Sequence, residues 1–180
     1  AQHRRAIERE RVAAARGVGV ARAVSRHRAV VRRVVEAAQR HRRPARVAFA
    51  REGADVLISY LNEDSDAEET ARVVREAGRQ AVLAPGDISE ESHCRSLVEH
   101  TVSELGKLDI LVNNAAFQMT REGIEQIPDG EWERTFRTNI FAMYYLCKAA
   151  WPHLQPGSAI INTASIQAYQ PSPQLLSYAS

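Results

Sequence analysis

The chain has 180 residues, 44% of them hydrophobic, and a formal net charge of +2. This length supports one domain with a hydrophobic core, and no apolar run approaches the roughly 20 residues that cross a bilayer. The two cysteines, Cys94 and Cys147, form no CxxC pair or Cys/His cluster, which argues against a disulfide framework and a zinc site. The Arg-rich N-terminus contains no apolar signal stretch. We therefore expect a cytoplasmic protein without a metal.

The small net charge hides a difference between the two ends of the chain. Residues 1–46 contain 14 Arg and 3 Glu, whereas residues 47–180 contain 10 basic and 19 acidic residues. Such asymmetry is typical of a basic arm on an ordinary domain, or of a segment that does not belong to the fold. We predict an atypical segment at 1–46, helical or disordered, and a domain at 47–180.

From Val47 onward, short apolar runs alternate with amphipathic segments. Alternation of this kind predicts an α/β domain with a parallel sheet covered on both faces, a Rossmann-like doubly wound fold of three layers. The predicted strands are 54–60, 80–84, 108–113 and 158–163. The predicted helices are 66–76, 89–105 and 128–151.

The predicted topology also locates the functional edge. In open parallel sheets, ligands bind beyond the carboxyl ends of the strands, where the strand order switches. Residues that follow the predicted strands are therefore candidates for a site. They are Tyr60, Asp87, Asn113, Asn114 and Ser165.

Three sequence motifs occur in a specific order along the chain. The run LVNNAA at 111–116, Asn139 in the next predicted helix, and Ser165 thirteen residues before Tyr178 resemble the short-chain dehydrogenase/reductase family. The stretch INTASIQAYQPSPQLLSYAS at 161–180 is similar to its glucose-dehydrogenase-like, stress-associated branch. The resemblance covers residues 47–180. It implies NAD(P)-dependent oxidoreduction of a small-molecule carbonyl or alcohol, usually in a homodimer or homotetramer. We expect no membrane partner, and a nucleic-acid partner is disfavoured.

The resemblance assigns catalytic roles to three residues. Ser165 would orient the substrate oxygen, Tyr178 would move the proton, and Asn139 would hold a water in the proton path. A phenol titrates near 10, so it needs a nearby cation to act as a general acid–base. In the family this cation is a Lys four residues after the Tyr, and the sequence ends at Ser180. Taken singly, Ser165 and Tyr178 would be interpreted as a helix cap and an interface aromatic.

The resemblance also assigns contacts to the dinucleotide. NAD-specific relatives carry an Asp where this chain has Tyr60, so a 2′-phosphate is tolerated here, although no Arg is present to hold it. We expect NADP or NAD, with a small preference for NADP. Asp87 alone would equally serve as a cap for the next helix. The predicted cofactor-binding residues are Tyr60, Asp87, Ile88, Asn114, Ala115 and Tyr178.

One departure from the family is large. Members open with a strand and a TGxxxGxG turn, whose glycines admit the pyrophosphate. Counting back from residues 48–53, these glycines fall where the chain has Glu36, Arg40 and Arg42. Arg32 and Arg33 interrupt the preceding Val-rich run, and burial of unpaired charge costs several kcal/mol. We therefore expect an incomplete domain without its first strand, and an inactive fragment.

Two interpretations of the Arg-rich segment remain open. An out-of-frame translation of a GC-rich reading frame would turn Gly, Ala and Ile codons into Arg, His, Gln and Pro. Alternatively, the chain is a non-enzymatic α/β fragment whose N-terminal arm binds nucleic acid. The segment has no interleaved aromatic residues, which disfavours this second interpretation.

Overall fold

The computed structural model describes the backbone of residues 33–37 and all of residues 48–179. Five strands pair in parallel in one sheet, in the order β3-β2-β1-β4-β5. The chain thus winds in one direction from β1 to β3 and in the other from β4 to β5, with the switch between β1 and β4. The strands are β1 (Arg33–Ala37), β2 (Asp55–Tyr60), β3 (Ala81–Pro85), β4 (Ile110–Asn113) and β5 (Ala159–Asn162).

Helices follow the strands in the order that the sequence predicted. The long helix predicted at 128–151 is divided in the structure, because a π-helical turn at Arg137–Phe141 separates its two α-helical parts. The helices are α1 (Asp64–Glu76), α2 (Glu91–Leu105), α3 (Asp129–Phe136), α4 (Ala142–Ala150) and α5 (Leu176–Ala179). Short 3₁₀ turns lie at Ile124–Gln126, Trp151–His153, Ile166–Ala168 and Pro173–Leu175.

The first strand corrects an expectation from the sequence. Val34 of β1 pairs with Val56 of β2 and with Ile110 of β4, so β1 is the central strand. The prediction that the domain lacks this strand was wrong, and the segment 1–46 contributes five residues to the sheet. Between two strands, backbone N–H and C=O groups find partners on both sides whatever the side chains are. The helical or disordered state predicted for the rest of 1–46 falls outside the described residues.

The two faces of the sheet are covered by different helices. Val56 and Ile58 of β2 point to one face, where they pack with Val74 of α1. Leu57, between them, points to the other face and packs with Leu97 of α2. Successive side chains of a strand alternate in this way, and α2 and α4 also contact each other. The three-layer α/β fold predicted from the sequence is confirmed.

Candidate active site

The carboxyl ends of β2 and β3 are joined by a backbone hydrogen bond. The N–H of Gly86 donates to the carbonyl oxygen of Tyr60 at 2.8 Å. Tyr60 is only 8% exposed, and burial, together with the Asp64 carboxylate, raises the pKa of its phenol. Tyr60 is therefore a neutral, buried group at this edge of the sheet.

An acidic loop follows Tyr60. Glu63 Oε2 accepts hydrogen bonds from the backbone N–H groups of Leu61 (3.3 Å) and Asn62 (3.2 Å). Asn62 and Glu63, together with Asp64 and Asp66, line an open cleft. Consecutive backbone N–H groups are typical anion-binding donors. Here a carboxylate of the chain itself occupies these donors, so the cleft is unfavourable for a second anion.

Asp87 makes a local turn and does not cap the next helix, which was the alternative role that the sequence left open. Its Oδ1 accepts a hydrogen bond from the N–H of Ser89 at 2.9 Å, just before α2. Glu90, not Ser89, is the N-cap residue of α2, and its side chain makes no capping bond. Asp87 is half-buried and its neighbour Ile88 is buried. The pair therefore offers a polar and an apolar surface side by side.

A histidine and a cysteine of α2 pack behind Asp87 and Ile88. Gly86 has a positive φ of 149°, and a Cβ atom on it would clash with the imidazole of His93, so this position favours glycine. Burial lowers the pKa of His93, and the Asp87 carboxylate partly opposes this. Cys94 Sγ donates to the carbonyl oxygen of Ile88 at 3.1 Å, and burial raises the pKa of the thiol to about 12. Cys94 is therefore a packing residue and not a nucleophile.

Hydrogen bonds also tie together the ends of β4 and β5. Asn113 Nδ2 donates to Asn162 Oδ1 at 2.8 Å, and the N–H of Thr163 donates to the carbonyl oxygen of Asn113 at 3.0 Å. Thr163 Oγ1 donates to Asn114 Oδ1 at 2.8 Å. Asn113 and Asn114 are buried, and Ala115 packs against the core beside them. Sequence reasoning missed Thr163, although its place directly after an apolar strand was a usable signal.

Asn139 lies in the π-helical turn and holds the loop that follows β4. Its Oδ1 accepts from the N–H of Phe117 at 2.7 Å, and its Nδ2 donates to the carbonyl oxygen of the same residue at 2.9 Å. The guanidinium of Arg134 lies 4.5 Å from the centre of the Phe117 ring. Both atoms of the Asn139 amide thus bind backbone, which identifies a bracing function. The water-holding role of Asn139 stays a prediction.

Ser165 and Tyr178 lie on elements that contact each other. Ser165 is the N-cap of the 3₁₀ turn Ile166–Ala168, and its Oγ accepts from the N–H of Gln167 at 3.2 Å. This turn packs against α5, which carries the half-buried Tyr178. A hydroxyl that accepts one hydrogen bond still has its own proton to donate. The capping role of Ser165 therefore leaves it able to bind a substrate oxygen.

The structure contains an ion pair between Arg121 and Glu131 that the sequence did not predict. Arg121, in the loop after β4, contacts Glu131 of α3 through Nε at 2.9 Å and also through Nη2. Glu131 is 9% exposed, and its hydrogen bond raises the pKa of the Arg121 guanidinium. The backbone N–H of Arg121 donates to the carbonyl oxygen of Gln174, four residues before Tyr178.

Two further structural findings concern residues 33–37 and 48–179 only. No group of three or more His, Cys, Asp or Glu side chains in this part of the chain is arranged to hold a metal ion. Nor does this part contain a helix with the length and hydrophobicity needed to cross a membrane.

The strand order of the open parallel sheet switches between β1 and β4. Polar side chains lie at the carboxyl edge of this sheet. These two features define a Rossmann-like α/β protein of the dinucleotide-binding type. The family model described as enoyl-(acyl carrier protein) reductase matches residues 45–180. The chain belongs to the short-chain dehydrogenase/reductase family.

Known proteins similar to this chain agree with that assignment. An uncharacterised oxidoreductase of Bacillus subtilis, YhdF, is 51% identical over 138 residues, which are 77% of this chain and 48% of the relative. The chain thus spans about half the length of the curated relatives it matches.

Two solved structures show the same fold with a cofactor bound. One is a short-chain dehydrogenase from Burkholderia cenocepacia in complex with NADP; it has 26% identity and a TM-score of 0.77, with 82% of this chain and 61% of that chain covered. The other is carveol dehydrogenase from Mycobacterium avium in complex with NAD; it also has 26% identity, with a TM-score of 0.76 and 84% and 61% of the two chains covered.

Proposed function

We propose that the protein to which this chain belongs is an NAD(P)-dependent oxidoreductase that interconverts a carbonyl and an alcohol. The observation that carries the proposal is the contact between the turn capped by Ser165 and the helix that carries Tyr178. This contact supports the proposal because adjoining elements carry the two hydroxyl groups, and ligands of such folds bind at the carboxyl edge of the sheet.

The residues at the switch point fit a dinucleotide. The half-buried Asp87 and the buried Ile88 offer a polar and an apolar neighbour to the adenine. Asn114 and Ala115 follow β4, next to the switch point, where they would contact the adenosine ribose. Tyr60 ends β2, which lies beyond β1 in the sheet. Tyr178 would contact the nicotinamide ribose. When bound, the dinucleotide supplies or accepts the hydride.

The side chains of this chain then supply orientation and proton transfer. Ser165 Oγ–H would donate to the substrate oxygen and hold it in place. The Tyr178 hydroxyl would give its proton to this oxygen during reduction and take it back during alcohol oxidation. Asn139 fixes the loop at Phe117, which keeps the wall of the site in place, and the predicted proton path through a water at Asn139 would resupply Tyr178.

The choice between the two cofactors depends on the loop after β2. The absence of an acid at Tyr60 favours NADP, as the sequence predicted. Glu63 opposes this preference, because its carboxylate occupies the backbone donors of Leu61 and Asn62 and would repel a 2′-phosphate. The discrimination between NADP and NAD is therefore expected to be small.

The proposal is tested with the full-length protein, NADPH and NADH, and a panel of aldehydes and alcohols. We expect turnover that Tyr178→Phe lowers by about 10²- to 10⁴-fold, the usual contribution of a general acid–base. Tyr169→Phe is the matched control, since this tyrosine lies in the same segment and is 73% exposed. The proposal fails if the unmodified protein turns over no carbonyl or alcohol. Equal activity of Tyr178→Phe would refute the role of that residue.

A further inference from the structure

A buried ion pair connects the loop after β4 to α3. Two nitrogens of the Arg121 guanidinium contact the same oxygen of Glu131. The Glu131 side chain is 7% exposed and that of Arg121 is 32% exposed. Charge-assisted hydrogen bonds of this kind are strong, and removing one partner would leave a charge buried without compensation. The pair therefore fixes the loop to the first turn of α3.

The same arginine reaches the segment that leads to Tyr178. Its backbone N–H donates to the carbonyl oxygen of Gln174 at 2.8 Å, and Gln174 Nε2 donates to Glu122 Oε1 at 3.2 Å. Gln174 belongs to the 3₁₀ turn Pro173–Leu175, which continues directly into α5. Arg121 thus holds α3 with its side chain and the start of the Tyr178 segment with its backbone.

Two buried polar atoms point to a further link between α3 and α5. Glu131 Oε1 and Ser177 Oγ are both buried without a hydrogen-bond partner, and the two helices that carry them pack together. Buried polar atoms normally have partners, and a hydroxyl donor complements a carboxylate acceptor. One buried water between the two atoms would satisfy both.

We propose that Arg121 and Glu131 are positioning residues for Tyr178. Together they hold the loop after β4, the turn Pro173–Leu175 and, through Ser177, the helix of the catalytic tyrosine. Tyr178 directly follows the buried Ser177 in this helix, so the contacts that hold the helix also set the direction of the phenol. The inference rests on the proposed function, because it assigns these residues to the orientation of its acid–base group.

The first test measures turnover of the full-length protein with Glu131→Gln, which keeps the shape of the side chain and removes its charge. We expect kcat to fall by about 10- to 100-fold, because misplacement of a catalytic group by about 1 Å costs that much. KM for the dinucleotide should rise by a smaller factor than kcat falls, since Asp87 and Asn114 are untouched.

Two variants make this result specific. Arg121→Lys keeps the positive charge but not the two-pronged contact, so its kcat should lie between those of the unmodified protein and Glu131→Gln. Glu69→Gln is the matched control, because Glu69 pairs with Arg72 on the exposed surface of α1. An unchanged kcat in Glu131→Gln would overturn the positioning role.

Amide hydrogen exchange tests the same link without any need for activity. In Glu131→Gln we expect faster exchange at the N–H of Arg121 and across residues 173–179, and no change in α1. Unchanged exchange in these segments would overturn the inference. If the unmodified protein shows no turnover but the exchange result is as expected, the connection stands while the proposed function fails.

Discussion

The hydroxyl of Thr163 donates a 2.8 Å hydrogen bond to Oδ1 of Asn114, across the carboxyl ends of β5 and β4. The backbone of Thr163 reinforces this link through its N–H, which donates to Asn113. Thr163 is two residues before Ser165, and Asn114 is a predicted cofactor contact. One hydrogen bond therefore fixes the distance between the two halves of the candidate site.

Thr163→Val should lower the free energy of unfolding by about 1–3 kcal/mol, because the buried Asn114 loses one partner while the side-chain shape is kept. Dinucleotide affinity should fall as well. Urea denaturation and a binding titration measure the two effects. Thr120→Val, at an exposed position in the loop after β4, is the control. A loss no larger than that of the control would contradict the prediction.

Glu63→Gln should increase affinity for NADPH by about fivefold, which corresponds to roughly 1 kcal/mol for one removed repulsion. Glutamine can still accept the hydrogen bonds of Leu61 and Asn62, so the change isolates the charge. NADH affinity should hardly change, because NADH has no 2′-phosphate. Glu68→Gln, further along α1 and exposed, is the control. An equal effect on both dinucleotides would show that the charge of Glu63 does not discriminate between them.

The buried His93 should make stability depend on pH. Burial lowers its pKa in the folded protein, whereas in the unfolded chain it titrates near 6.5. Between these two values the unfolded chain binds more protons, so stability is complete above about pH 6.5 and is lost as the pH falls towards the folded pKa. His93→Gln should reduce this loss, measured as unfolding free energy against pH. His100→Gln on the exposed side of α2 should leave it unchanged; if the two variants behave alike, His93 is not responsible.

The 180-residue chain should bind NADPH weakly, because Arg40 and Arg42 stand where the family has glycines. The strand β1 ends at Ala37, so both positions belong to the segment that follows the strand, as the family turn does. Calorimetric titration at about 0.15 M salt, which screens undirected attraction by exposed arginines, measures the affinity. Arg40→Gly combined with Arg42→Gly should tighten binding by about tenfold. Micromolar binding by the unmodified chain would show that this segment holds phosphate in another way.

The gene itself tests the reading-frame hypothesis for residues 1–46. If the segment arises from an out-of-frame translation, one inserted or deleted base upstream of Val47 restores a glycine-rich turn in the coding sequence. DNA sequencing of this region gives the answer directly. A coding sequence in which neither alternative frame contains the glycines rules the hypothesis out.

The sequence by itself determined the strands from residue 54 onward. The strands predicted at 54–60, 80–84, 108–113 and 158–163 are found within two residues of their observed ends, because apolar runs bounded by Gly, Pro and polar residues are local signals. The same alternation indicated the three-layer fold, and the order of LVNNAA, Asn139, Ser165 and Tyr178 indicated the family. These features depend on residues close together in the chain.

Only the tertiary structure decided the first strand and the links within the site. The side chains near Arg33 argued against a strand, but a central position between β2 and β4 supplies backbone partners on both sides, and this backbone pairing is indifferent to side chains. Thr163 and Asn114 are 49 residues apart, and Asn139 and Phe117 are 22 apart. Such partners meet because the parallel sheet brings the carboxyl ends of distant strands to one edge, and no local pattern encodes which pair will bond.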